Sequence, residues 1–159
     1  MRLIHQHEPA ISGAALASDL YCEIICDGFH LHPHTVDMLM KIKGPRKLIA
    51  ITDSIQAAGL SDGEYVLGAQ PIVVTNGDAK FKHENIRAGS TLTMLNALKN
   101  TMQFTNKPLA EVLPLFIDNP ADVFDPTLKS FQTQRLLNAI VLNKQYDLIH
   151  VIQNGKLIF

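Results

Sequence analysis

Asp53 follows a short apolar run, residues 47–52, that reads as a β-strand. In parallel α/β folds, polar residues at the C-terminal end of a strand face the ligand site, because the loops leave the sheet there. A carboxylate in that position can act as general base and then general acid on an activated water. The same residue type also serves as an ordinary turn or cap residue at strand ends. A second strand-like run, residues 20–26, is followed by Asp27-Gly28-Phe29-His30-Leu31-His32-Pro33-His34. Its three histidines stand at alternate positions and would share a face in an extended segment. Neutral imidazole is a common zinc ligand, but Gly28 and Pro33 mark a turn, so the rings are expected to diverge. One histidine contacting a substrate, or rings that simply face solvent, explains the segment as well. His5-Gln6-His7 has the H-x-H spacing of many hydrolase metal sites, yet little strand precedes it. Contact with an anionic ligand or with solvent is the alternative. Ala88-Gly89-Ser90-Thr91 places a glycine just before an expected helix start, where free backbone N–H groups can receive an anion or Ser90 can act as N-cap. The chain has no nucleophile-elbow Ser–His–Asp spacing, P-loop or dinucleotide fingerprint. Its two cysteines, Cys22 and Cys26, are four apart in a strand. At about 13 Å they are too distant for a disulfide, and they are expected to be reduced core thiols.

Positioning these groups requires a particular order of elements. Residues 35–43 have helical periodicity, with Thr35 available as N-cap and Gly44-Pro45 as the stop. Strand 20–26, this helix and strand 47–52 form a βαβ unit, so the two strands are expected to be parallel neighbours whose Asp-bearing ends open on one side. Short strands follow at 64–67, 71–75 and 79–82, separated by Gly68-Ala69 and Asn76-Gly77; Asn-Gly between extended runs signals a hairpin. Helices are expected at 91–104, capped by Ser90, and at 108–117 and 120–124. The chain ends in strands at 139–142, 148–153 and 156–159, the last two joined by Asn154-Gly155. A closed barrel needs eight strands of the parallel kind, and two are present. Such a pair cannot cover its own faces and edges, so the expectation is a fragment or an obligate partner of another chain.

The chain has 159 residues, 47% hydrophobic and 18% charged, with a formal net charge of -1. That near-neutral balance argues against nucleic-acid binding. No apolar run approaches the roughly 18 residues of a membrane span. The start lacks the apolar core of a signal peptide, so a cytoplasmic location is the expectation.

The ordered set His7-Glu8-Pro9, Asp27-Gly28-Phe29-His30-x-His32-Pro33, Ile51-Thr52-Asp53-Ser54, Ala57-Ala58-Gly59-Leu60, Asp62-Gly63-Glu64-Tyr65, Ala88-Gly89-Ser90-Thr91-Leu92-Thr93-Met94 and Asn119-Pro120-Ala121 resembles the N-acetylglucosamine-6-phosphate deacetylase family. The resemblance runs from about position 1 to 123 and weakens beyond. It implies an α/β fold: residues 1–124 as the C-terminal part of a (β/α)8 metal-dependent hydrolase barrel, with a hairpin excursion at about 62–86, and 125–159 as strands of a small accessory β domain. It implies removal of the acetyl group from N-acetylglucosamine 6-phosphate, giving glucosamine 6-phosphate and acetate. Asp53 falls on the catalytic aspartate, which takes a proton from metal-bound water and delivers it to the leaving amine. His30 falls on a substrate-contacting histidine, with Asp27, Gly28 and Phe29 as the wall beside it. Arg87, Ala88 and Gly89 fall on a substrate loop, and His7 falls where an arginine commonly reaches the phosphate across a dimer.

Several features depart from the family pattern. The metal-binding glutamate and two histidines, and an Asn-Ala substrate pair, would precede this chain. A divalent metal, zinc or iron, is therefore expected in the complete enzyme, with none bound by this fragment, which is expected to be inactive alone. His7 cannot make the bidentate fork of an arginine. Arg87 stands where an apolar residue is usual, and the run 125–143 lacks the usual Gly-rich stretch. The expected partners are a small sugar phosphate and either a second copy of the chain or the missing N-terminal portion, with no nucleic acid and no membrane. The alternatives are another amidohydrolase, such as a dihydroorotase-like or adenine-deaminase-like enzyme, and a non-catalytic remnant of a truncated gene.

Overall fold

The computed structural model describes residues 4–5, 7–126 and 137–159. Gln6 of the H-x-H motif and residues 127–136, the middle of the run without the Gly-rich stretch, lie outside the described residues. The chain divides into two compact units, Met1–Asn119 and Pro120–Phe159.

The first unit is built on the expected βαβ element. Strand β1 (Cys22–Ile25) lies parallel to β2 (Leu48–Ile51), with Cys22 opposite Leu48 and Ile25 opposite Ile51. Between them runs α2 (Pro33–Lys43), which begins two residues earlier than the sequence predicts. Pro33 sits at the helix start, where its missing N–H costs nothing, and the His32 ring, not Thr35, caps the helix by accepting from the His34 N–H at 3.2 Å. Ahead of β1 lies α1 (Ala10–Ala17), which the sequence does not announce. It buries no residue fully and carries a glycine in mid-helix, so it has neither of the usual signals. Its C-terminal carbonyls are satisfied from elsewhere: Lys43 Nζ donates to Ala15 O at 2.7 Å and to Ser18 O.

Helix α3 (Met94–Thr105) packs mainly against α2 and also touches β2. Its N-cap is Thr93, whose hydroxyl accepts from the Asn96 N–H at 3.2 Å, and not Ser90. The stretch 108–117 is not one helix. Pro114 has no N–H to continue the ladder, so α4 (Leu109–Val112) gives way to a 3-10 turn, Leu113–Leu115. Ile24, Cys26, Val36, Met40, Leu48, Ala97, Leu98, Val112 and Leu115 form the buried interior. Asn119, only 2% exposed, belongs to this unit and donates through Nδ2 to Pro45 O at 2.7 Å and Leu48 O at 2.6 Å. Replacing it by alanine strands both carbonyls. The expected cost is about 2–3 kcal/mol, read as a fall in the urea midpoint at unchanged slope.

Both cysteines are free thiols. Burial pushes the Cys26 thiol up to about 11, against a partly offsetting hydrogen bond with Thr101. The folded chain should therefore block Cys26 from alkylation at neutral pH, with half-buried Cys22 reacting first. A folded-state pKa raised above the unfolded value means stability is fully present below about 9 and is lost as pH rises toward about 11.

Between β2 and α3 the chain makes an antiparallel excursion: β3 (Gly63–Leu67), β4 (Gln70–Thr75) and β5 (Asp78–Phe81), in that order across the sheet. Asn76 (φ 50°) and Gly77 (φ 79°) make the β4–β5 turn, the two left-handed positions that an Asn-Gly pair supplies at low cost. Ala57, Val74 and Ala79 are its small core, with Ile55 and Tyr65 packed against them. Helix α5 (Asp118–Phe124) spans the boundary into the second unit. There β6 (Ala139–Leu142), β7 (Leu148–Gln153) and β8 (Lys156–Leu157) form an antiparallel sheet, with Asn154-Gly155 at the tight turn. Among the described residues no helix is long and apolar enough to cross a membrane.

Candidate functional site

At the end of β2 the chain reverses sharply through Asp53, whose φ of 49° lies in the left-handed region. A non-glycine residue is held there only when its surroundings over-determine it. Here the segment 88–92 does so. The Ser90 N–H donates to Asp53 O at 2.8 Å, and the Ile55 N–H donates to Ser90 O at 2.9 Å. The Ser90 hydroxyl donates to Thr52 O and receives the Leu92 N–H at 3.1 Å, while the Ser54 hydroxyl donates to Leu92 O. Ser54 and Ser90 thus form a parallel bridge. Ser90 is spent on this clamp, which is why it does not cap α3 and why Gly89 is not at a helix N-terminus. The Asp53 side chain remains exposed.

Gly89 (φ 71°) lies directly against Asp53. A Cβ there would sit 2.9 Å from Asp53 O, 2.8 Å from Ile55 Cγ2 and 3.7 Å from Asp53 Oδ2. Only a glycine lets the two backbones approach this closely. Ala88 is buried and donates its N–H to Ala79 O at 3.0 Å. Arg87 turns to the side, with Nε 2.9 Å from Asp78 Oδ1 and Nη2 3.3 Å from Oδ2. Burial alone would raise the Asp78 pKa, but hydrogen bonds from Arg87 and Lys80, with their charges, hold it below its ordinary value. The positive charge of Arg87 is thereby answered within the chain.

The end of β1 carries the second cluster. Asp27 Oδ1 accepts from the N–H groups of Phe29 and His30, each at 2.8 Å, and Oδ2 lies 2.7 Å from His30 Nδ1. Gly28 takes φ 82° within this turn, under the ring of Phe104. Asn100, on α3, donates to Cys26 O at 2.9 Å and ties the strand end to the helix. Phe29 is 38% exposed, with its ring edge beside Gly77 at the tip of the β4–β5 turn. Thr91 donates its hydroxyl to Gly77 O at 2.8 Å, so one turn touches both strand-end loops. Asp62 holds that turn by accepting from the N–H groups of Asn76 and, at 3.2 Å, Gly77.

Asp53 and Gly89 are therefore in contact, as are Asp27, Phe29 and His30. His7 lies in the N-terminal turn with its ring 5.3 Å from that of His5. The rings of His32 and His34 do not diverge but stand 5.2 Å apart at the start of α2, because the helix begins at Pro33 and brings the cap residue against its second position. Thr91, Asn100 and Asp62 have supporting roles that sequence reasoning did not single out. The one available signal was the Asn76-Gly77 pair, whose outward N–H groups need an acceptor. Among the described residues no group of three or more histidine, cysteine, aspartate and glutamate side chains is disposed to hold a metal ion. The side chains described here do not fit the metal that the resemblance implies.

No family model matches the chain. The N-acetylglucosamine-6-phosphate deacetylase of Lysinibacillus sphaericus is 33% identical over 159 residues, covering 99% of this chain and 41% of that one. The N-acetylgalactosamine-6-phosphate deacetylase of Escherichia coli O157:H7 is 28% identical, covering 97% and 41% respectively. Among solved structures, N-acetylglucosamine-6-phosphate deacetylase from Thermotoga maritima superposes with a TM-score of 0.91 at 29% identity, covering 99% of this chain and 44% of that one. The chain is similar along its length to the C-terminal part of these deacetylases and spans about 41% of the length of the two curated relatives named.

Proposed function

We propose that the chain, as the C-terminal part of an N-acetylglucosamine-6-phosphate deacetylase, supplies the carboxylate that moves the proton in amide hydrolysis and one wall of the sugar pocket. The observation that carries this reading is the whole-length likeness to a solved deacetylase, joined to an exposed aspartate at the end of a parallel strand. In the proposed reaction water adds to the acetamide carbonyl, and Asp53 accepts the proton it loses. As the C–N bond breaks, Asp53 returns that proton to the departing amine, leaving acetate and glucosamine 6-phosphate. His30 contacts the sugar, and Asp27, Gly28 and Phe29 form the wall beside it. The loop Arg87, Ala88, Gly89 closes the other side. His7 lies toward the phosphate, as a weaker partner than arginine.

The wider proposal has residues 1–124 completing a (β/α)8 barrel and 125–159 contributing to a small β domain. It also has a zinc or iron ion in the complete enzyme held by residues that this chain does not provide, in a cytoplasmic homo-oligomer. The 28% identity to a galactosamine enzyme favours a second reading in which the substrate is the galacto epimer. The test is a chimera in which this chain replaces the corresponding C-terminal part of the Lysinibacillus sphaericus relative. Acetate release is followed from both N-acetylhexosamine 6-phosphates. Hydrolysis of either epimer that depends on Asp53 supports the reading; a folded chimera active without Asp53 overturns it.

A further inference from the structure

We propose that Asp27 is a positioning residue that fixes the tautomer of His30, so that the ring offers a bare Nε2 to the site. A carboxylate can only accept hydrogen bonds. With Asp27 Oδ2 at 2.7 Å from His30 Nδ1, the neutral ring must carry its proton on Nδ1. The carboxylate itself is pinned: its other oxygen takes the Phe29 and His30 N–H groups, and the Asp27 side chain is 8% exposed against 23% for His30. Three hydrogen bonds from one short turn therefore decide which face of the imidazole is a donor.

The consequence is chemical. A bare Nε2 accepts, so its partner must be a donor: a sugar hydroxyl or the amide N–H of an N-acetyl group, and not a phosphate or carboxylate oxygen. This last step rests on the deacetylase reading above, whereas the tautomer does not.

The test uses the full chain labelled with nitrogen-15, at a pH well above the ordinary imidazole value of about 6.5. Long-range proton–nitrogen correlations report which ring nitrogen is protonated, and the His30 signals are those lost in His30→Gln. The expected result is a protonated Nδ1 and a bare Nε2. In Asp27→Asn the amide oxygen can keep the two backbone bonds while its NH₂ faces Nδ1, so the proton is expected to move to Nε2. A wild-type ring protonated at Nε2, or at both nitrogens, overturns the proposal. So does a folded Asp27→Asn chain in which Nδ1 keeps its proton. The wild-type spectrum decides the point even where the variant does not fold. Titration of the Lysinibacillus sphaericus chimera with N-acetylglucosamine 6-phosphate separates the two layers. A shift at Nε2 supports the donor contact, and unmoved His30 signals overturn that contact while leaving the tautomer as measured.

Discussion

Asp53→Asn in the chimeric deacetylase should lower kcat by about 10²–10⁴-fold, the range for loss of a general acid–base group, with KM changed only a few-fold. The asparagine is nearly the same size and can keep the left-handed conformation that asparagine tolerates well. The clamp from Ser90 acts on main-chain atoms, so the loop should hold its shape. A purely structural Asp53 would instead leave kcat unchanged. Steady-state acetate release beside a urea unfolding curve separates these cases: a large loss of rate at unchanged midpoint identifies a chemical role. A variant as active as the parent would remove Asp53 from the reaction.

Gly89→Ala should be strongly destabilising. Two independent penalties coincide there. The φ of 71° disfavours any side chain, and the added methyl would meet Ile55 at 2.8 Å and Asp53 O at 2.9 Å. Left-handed strain and overpacking each cost about 1–3 kcal/mol. The sum, about 2–4 kcal/mol after relaxation, would be read from chemical denaturation. Because a backbone oxygen is one of the clashing atoms, relief must move Asp53 itself. Residual activity in the chimera should therefore fall with the stability, unlike in Asp53→Asn.

The parallel pair, the β excursion and both Asn-Gly turns were legible because each has a local signal. Continuous apolar runs marked β1 and β2, and Asn76-Gly77 and Asn154-Gly155 marked turns that need two left-handed residues. Helix α1 was not legible. Its run Ala-Ile-Ser-Gly-Ala-Ala-Leu-Ala has little polar–apolar contrast, and its C-terminal carbonyls are met by Lys43, from a distant part of the chain. Ser90 and Thr93 are both good cap residues by type, and only the bridge to Ser54 decides between them. At the site, the positions of Asp53 and Asp27 at strand ends could be read, but their partners could not. The bond from Asp27 to His30 is local yet depends on the turn at Gly28, and the contact of Gly89 with Asp53 joins segments far apart in sequence. Arg87 shows the limit of reading charge from sequence: its guanidinium is answered by Asp78 across the sheet.

The excursion that leaves after Ser54 and returns at Ser90 is tied at its neck by main-chain hydrogen bonds, and its far turn rests on Phe29. Mechanically it is a strut between two loops, held by hydrogen bonds at both its base and its tip. Changes near the tip, at Asp62 or Asn76, would be felt by Phe29. They would also reach the segment 88–92 beside the neck, because Thr91 donates its hydroxyl to Gly77 O. The strut thus joins the loop after β1 to the segment that clamps Asp53, so the two strand ends are braced as one piece.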